Sequence, residues 1–254
     1  MLPNISLGPL VIPSNGLVFI IGVWIALTVV ERSARKLELN SETTYSLAAV
    51  SLAAGFIGAR LVFVLLHWNA YKVNLSGIIW PLTSGYDLWG GLVIAIAAGF
   101  FYGRAKQVPT ASTLDALAPG IVTALLVVSL SDFLAGPGYG IETSLLWAID
   151  IYGIDRHPVQ IYEMIAAAVA LVVWRISLPY RTFDGQLFLI TLAVYGGGRL
   201  IVDAFRANTW LTNSGIHVIQ VLSLAIVLAS LFLLARNSTA AVDESQFIAD
   251  KVDL

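Results

Sequence analysis

Asp155-Arg156-His157-Pro158-Val159-Gln160-Ile161-Tyr162-Glu163 runs without a break into the apolar segment Met164 to Trp174. Six of its nine side chains are polar or ionisable, and a helix-length apolar run follows at once, so the cluster is expected at or just inside a membrane boundary. Ionisable groups are expensive at that depth, which makes them functional candidates by default. Composition extends the same reading to the whole chain. Of 254 residues 58% are hydrophobic and 12% charged, and the mean hydropathy is +0.83, whereas a soluble domain carries about a quarter charged residues. The apolar segments have the length of helices, about 20 residues, rather than the short alternating runs of a barrel. An all-α, seven-transmembrane helical bundle follows.

The spans are expected near 16–31, 45–66, 88–103, 114–135, 158–176, 186–205 and 216–235. With seven crossings one side receives Arg32, Arg35, Lys36, Arg104, Lys106, Arg175, Arg181, Arg236 and Lys251, and the other only Lys72, Arg156 and Arg206. The positive-inside rule then places the N-terminus outside and the C-terminus in the cytoplasm. Residues 1–236 form one membrane domain, and 237–254, polar and acidic, are expected as a disordered cytoplasmic tail. Met1 to Ser14 lacks the basic region of a cleavable signal, so the first apolar run is expected to be retained. The absence of cysteine excludes disulfides, thiolate metal sites and a cysteine nucleophile in this chain. A net charge of -2 says little about partners, and nothing points to a nucleic acid.

Two outer loops carry aromatic residues. Trp68, Tyr71, Trp80 and Tyr86 suit a segment lying in the headgroup layer. The loop 136–156, with Pro137, Trp147 and Tyr152, is expected to fold onto the bundle surface.

Arg60 lies seven residues below the boundary at His67, about 10 Å down a helix. It either snorkels to the headgroups or faces an anion inside the bundle. Arg199 follows Tyr195 and three glycines and precedes Asp203 and Arg206 by four and seven residues, a spacing that stacks three charges on one helical face. Its bland alternative is a structural Arg199–Asp203 pair. Pro158 suits the first turn of a helix, whose free N–H groups beside Arg156 and His157 would attract an anion. Gln160 and Glu163 then share a face, with Tyr162 off it. Together these groups suggest a phospholipid headgroup as ligand, its phosphate held by arginine. No zinc-ligand spacing, Walker loop or serine-hydrolase elbow is present, and no cofactor or metal is expected.

These residues resemble a known family. Arg156 to Glu163 is similar to the R-H-P-S-Q-L-Y-E motif of the prolipoprotein diacylglyceryl transferases. Gly8-Pro9 and Gly16-Leu17 resemble the family's first-span signature, Gly58-Ala59-Arg60 its G-A-R, Gly90-Gly91 the end of its H-G-G. Tyr195, Gly198-Arg199 and Asp203-Ala204-Phe205-Arg206 resemble its Y-x-x-x-R-x-x-x-E-x-x-R, and Gln220 with Ser223 its Q-x-x-S. Trp89 stands where the family has histidine, and Asn15 where it has a first-span tyrosine. Its R-x-G-N-x-x-N-G-E-x-x-G aligns with Ser129 to Gly140, so Ser129 and Pro137 replace an arginine and a glutamate while Gly136 and Gly140 survive.

The resemblance implies a multi-pass enzyme of the bacterial plasma (inner) membrane, with its site toward the outer face. It would move diacylglyceryl from phosphatidylglycerol to the lipobox cysteine of a prolipoprotein signal peptide. Arg199, Tyr195 and His157 are then the catalytic candidates, with His157 as a proton acceptor. Arg60, Arg156, Gln160, Glu163, Asp203, Arg206, Asp132 and Gly140 are the substrate-binding ones. Two alternatives stay open: a related lipid transferase of altered specificity, and a non-catalytic phospholipid-binding relative that keeps the scaffold.

Overall fold

The computed structural model describes residues 4–7, 10–72, 75–79, 85–136, 138–151, 153–212 and 214–252. Gly8-Pro9, Trp80, Pro137 and Tyr152 lie outside the described residues. A hairpin of β1 (Asn4–Leu7) and β2 (Leu10–Pro13) leads into α1 (Ser14–Lys36). α2 (Ser41–Leu66) returns, capped by the Asn40 side chain on Thr43 N. Two single turns, α3 (Trp68–Tyr71) and α4 (Ser76–Ile79), precede α5 (Leu88–Ala105), which Asp87 caps. α6 (Thr110–Ala135) ends on Gly136 with φ 96°. The hairpin β3 (Ile149–Ile151) and β4 (Ile154–Arg156) follows, then α7 (Val159–Ser177), α8 (Gln186–Val202) and α9 (Val218–Val252).

Among the described residues seven helices are long and apolar enough to cross a membrane. Most run past the expected spans by one to five residues at an end, because a helix continues into its charged ends, as α1 does through Arg35 and Lys36. α9 also continues through the stretch expected to be a disordered tail, as far as Val252. Neither glycine nor proline interrupts residues 218–252, so the chain has no local stop signal there.

Neighbouring helices pack in the order α5, α2, α1, α6, α7, α8, α9, with α8 also touching α6. Small residues permit the close pairs: a Cβ on Gly91 would stand 2.7 Å from Ala59 Cβ between α5 and α2, and one on Gly198 would stand 2.6 Å from Ala166 Cβ between α8 and α7. Gly197, by contrast, faces open space.

We call the end carrying the amino terminus of α1 the upper end. At the lower end the fully buried Asp115 of α6 organises three helices. Its Oδ2 accepts from Arg181 Nε (2.9 Å) and Gly185 N (2.8 Å), and its Oδ1 from Phe188 N (2.8 Å), so it caps α8 from another helix. Pro119 lacks the N–H that would bond the Asp115 carbonyl. Trp174 Nε1 of α7 donates to that carbonyl instead, at 3.0 Å.

Candidate active site

At the upper end, backbone hydrogen bonds lace three segments together. Ile141 N donates to Phe205 O (2.9 Å) and Ala207 N to Tyr139 O (3.1 Å). On the other side His157 N donates to Ile141 O and Thr143 N to Asp155 O, both at 3.0 Å. The chain leaving α6 is therefore an extended bridge between the exit of α8 and the entrance of α7. Gly140 stands at the crossing, where a Cβ would collide with the His157 carbonyl and lie 3.0 Å from Phe205 O.

This bridge explains a departure from the helical stripe expected of Arg199, Asp203 and Arg206. α8 ends at Val202, a 3-10 turn occupies Asp203–Phe205, and Arg206 is extended (φ -84°, ψ 128°). Pairing of residues 205–207 with 139–141 competes with further helix and wins. Asp203 consequently accepts from Thr209 Oγ1 at 3.0 Å and approaches His217 Nδ1 at 3.6 Å. The Arg199–Asp203 salt bridge, the alternative reading of this spacing, is not among those of the described residues, where Arg199 pairs with Glu163.

Glu163 takes the arginines instead. Its Oε1 accepts from Arg199 Nη1 and from Arg206 Nη2, and Ser129 Oγ lies 3.1 Å from its Oε2. The carboxylate is buried at 4% exposure, while its guanidinium partners keep 22% and 16%. Each guanidinium carries five N–H donors, and each gives one hydrogen bond to Glu163. Arg206 Nε is buried without an acceptor among the described residues. Asp132 stands on the last turn of α6, where its carbonyl accepts from Gly136 N at 2.8 Å, and Tyr195 packs against Val122, Ala167 and Ala170. Two guanidinium groups sharing one carboxylate keep spare donors, the hydrogen-bonding capacity of an anion site.

Three other candidates form its wall. Arg156 donates from Nη1 to Gly140 O (3.1 Å) and lies 4.7 Å over the Tyr139 ring. His157, 8% exposed, packs on Phe205 at 4.9 Å, with Nδ1 at 3.2 Å from Tyr162 Oη. Tyr162 Oη in turn accepts from Trp147 Nε1 at 2.8 Å. Gln160 is buried beside them at 1% exposure. The free N–H groups expected at the start of α7 are partly taken, Val159 N by His157 O and Ile161 N by Pro158 O, each at 2.9 Å. Cationic character at this end comes from side chains.

Arg60 belongs elsewhere. Its guanidinium donates to the carbonyls of Ile78 (3.2 Å), Gly85 (2.9 Å) and Gly77, and it lies against the rings of Tyr71 and Tyr86. It staples the α2–α5 connection rather than snorkelling. α2 packs on α1 and α5, whereas α8 packs on α6, α7 and α9, so Arg60 and Arg199 occupy different parts of the bundle. An apolar cavity of about 530 Å³ lies between α1, α2, α5 and α6, lined by Val30, Leu47, Ala95 and Leu117 and remote from the arginine pair.

Residues 4–236 match the family model for prolipoprotein diacylglyceryl transferase. The chain belongs to that family. Bacterial relatives named phosphatidylglycerol-prolipoprotein diacylglyceryl transferase include one from Finegoldia magna, 26% identical over 86% of this chain and 88% of the relative. Another, from Clostridioides difficile, is 24% identical over 90% and 94%, and one from Corynebacterium diphtheriae is 28% identical over 91% of each. The prolipoprotein diacylglyceryl transferase family is a transferase family, and this member keeps its motifs on α7 and α8 against one another through Glu163, Arg199 and Arg206.

Three site residues escape sequence reasoning. Ser129 reads as the loss of an arginine, yet it holds Glu163. Thr209 and His217 sit in a loop with no periodicity, and only the pairing of Leu211 with His217 and the bond from Val218 N to Trp210 O bring them to Asp203.

Proposed function

We propose that this chain moves the diacylglyceryl group of phosphatidylglycerol to the thiol of the lipobox cysteine in a prolipoprotein signal peptide. The upper end is then the outer face of the bacterial plasma (inner) membrane, with the N-terminus outside and the C-terminus in the cytoplasm, as the distribution of Lys and Arg supports. One observation carries the reading: Arg199 and Arg206 converge on the buried Glu163 at a membrane boundary and, among the described residues, use few of their donors.

The thiolate attacks glyceryl C3, the C3–O bond breaks, and its electron pair stays on the departing glycerol phosphate. Negative charge therefore grows on the phosphate oxygens. Two preset guanidinium groups stabilise that growth more than they stabilise the diester, which is what accelerates a reaction. Glu163 fixes both and prevents their mutual repulsion from separating them. Tyr195, Asp132 and Gln160 border the headgroup, Gly140 lets the bridge pass, and Arg156 and His157 secure the wall.

The test is complementation of a strain depleted of its own transferase, together with lipidation of a lipobox peptide in phosphatidylglycerol vesicles. Wild type is expected to rescue growth and Arg199→Ala to lose activity a hundredfold or more, as removal of one transition-state donor does. A second reading, a phospholipid-binding relative without catalysis, draws on the neutral Ser129 beside Glu163. It requires headgroup binding without lipidation of any peptide. A transferase of altered specificity would instead lipidate the peptide from a different phospholipid.

A further inference from the structure

Thiol transfer at this site needs a proton acceptor, and two of the carboxylates near the arginines, Glu163 and Asp203, are engaged or buried. Glu163 is shared by two guanidinium groups, and Asp203 is fully buried. His157 is packed between Phe205, Tyr162 and the Gly140 backbone and is 8% exposed. Trp89 has no basic nitrogen, and its ring meets that of Trp210 at 6.4 Å.

His217 differs from all of these. The backbone of Trp210 accepts from Val218 N at 3.0 Å and Leu211 pairs with His217, so the chain between α8 and α9 doubles back and delivers the imidazole to Asp203. Asp203 itself begins the turn that follows α8, four residues after Arg199, about 6 Å along a helix axis. His217 Nδ1 is buried, 3.6 Å from Asp203 Oδ2, and the side chain as a whole is 34% exposed, so its open edge is the one away from Nδ1. Asp203 Oδ1 is buried with no hydrogen-bond partner among the described residues. Asp203 Oδ2, which also accepts from Thr209 Oγ1 at 3.0 Å, and the buried His217 Nδ1 thus stand just beyond bonding distance of one another. Catalytic hydrogen bonds are commonly long without substrate and tighten in the complex.

We infer that His217, aimed by Asp203, takes the proton from the substrate thiol in this chain. This rests on the transferase reading. Asp203 fixes the tautomer with hydrogen on Nδ1, which leaves the Nε2 lone pair as the acceptor. Nε2 takes the S–H proton, the sulfur forms its bond to glyceryl C3, and the C3–O electron pair goes to the phosphate held by Arg199 and Arg206. The proton then passes from Nε2 to the departing phosphate or to water, which restores the neutral ring. Asp203 acts through His217 and is a positioning residue. His217 is the catalytic one.

The test uses the full chain in phosphatidylglycerol vesicles with a lipobox peptide. His217→Ala and His217→Gln are expected to lose a hundredfold or more in kcat with little change in KM for the lipid, the usual contribution of a general base. Added imidazole should restore part of the His217→Ala rate. A peptide with selenocysteine in place of cysteine, whose selenol ionises without help, should react with His217→Ala nearly as fast as with wild type. Asp203→Asn should fall between wild type and His217→Ala. An active wild type with undiminished His217→Ala and His217→Gln overturns the assignment and leaves the transferase reading standing. A loss that neither imidazole nor selenocysteine repairs also overturns it, because it marks a structural role. A wild type that lipidates no peptide removes the transferase reading and this one together.

Discussion

Ser129 Oγ on α6 lies 3.1 Å from Glu163 Oε2 on α7, so a neutral hydroxyl from a third helix steadies the carboxylate whose other oxygen carries two arginines. Replacement of the hydroxyl and replacement of the carboxylate should therefore differ sharply.

Ser129→Ala removes one hydrogen bond to a buried group, a loss of about 1–3 kcal/mol. Glu163→Gln leaves two largely buried cations without their anion, which typically destabilises by about 3–5 kcal/mol. Thermal unfolding in neutral detergent should show a small drop for the first and a large one for the second. Added phosphatidylglycerol should recover more of the Glu163→Gln loss than added phosphatidylcholine, because an anionic headgroup replaces the missing charge. Equal recovery by both lipids would mean that the arginine pair does not bind the headgroup phosphate.

Arg60 gives a contrasting expectation. Its three carbonyl acceptors at Gly77, Ile78 and Gly85 need the planar fork of a guanidinium, which a lysine ammonium cannot reproduce. Arg60→Lys and Arg60→Ala should both expose the 68–87 connection to limited proteolysis while leaving headgroup affinity unchanged. Weakened headgroup binding with an intact connection would return Arg60 to the phosphate site.

Periodicity and length made the seven helices legible in the sequence, because in a membrane the apolar run and the helix coincide. The cluster at Arg156 to Glu163 was legible because polar groups beside such a run need a reason. Partner assignment was not. From spacing, Arg199 and Asp203 share a face, and only the bridge through Gly140, a long-range backbone pairing, ends the helix and sends Asp203 to Thr209 and His217. The partners of Arg60 were hidden in the same way: its acceptors are carbonyls 17 to 25 residues away.

Gly140→Ala tests that bridge. The added Cβ would collide with the His157 carbonyl and crowd Phe205 O, both parts of backbone that cannot swing aside as a side chain can. Separation of the α7 entrance from the α8 exit should follow, with Arg206 drawn off Glu163. Lipidation should fall by more than thermal stability does, and amide exchange should quicken at Ile141, His157 and Ala207. Unchanged exchange at those three positions would show that the bridge tolerates the methyl group.

Asp115 sets the opposite end of the same helices. Its carboxylate pairs with Arg181 and accepts the N–H groups of Gly185 and Phe188. Arg199 lies eleven positions beyond Phe188 on α8, about 17 Å of helix, so the cap can act on Arg199 only by holding α8 in place. Asp115→Ala removes the anion from Arg181 and the cap from α8 together, and should destabilise by about 3–5 kcal/mol. Asp115→Asn keeps an acceptor for one N–H and loses the charge, so its unfolding temperature should lie between Asp115→Ala and wild type. In both variants the activity of the folded fraction, measured well below the unfolding temperature, should match wild type. A fall in kcat at full folding would instead mean that the lower end transmits the position of α8 to the arginine pair. Crosslinking α6 to the α7–α8 connection through cysteines at 112 and 184 should then restore the rate in Asp115→Asn.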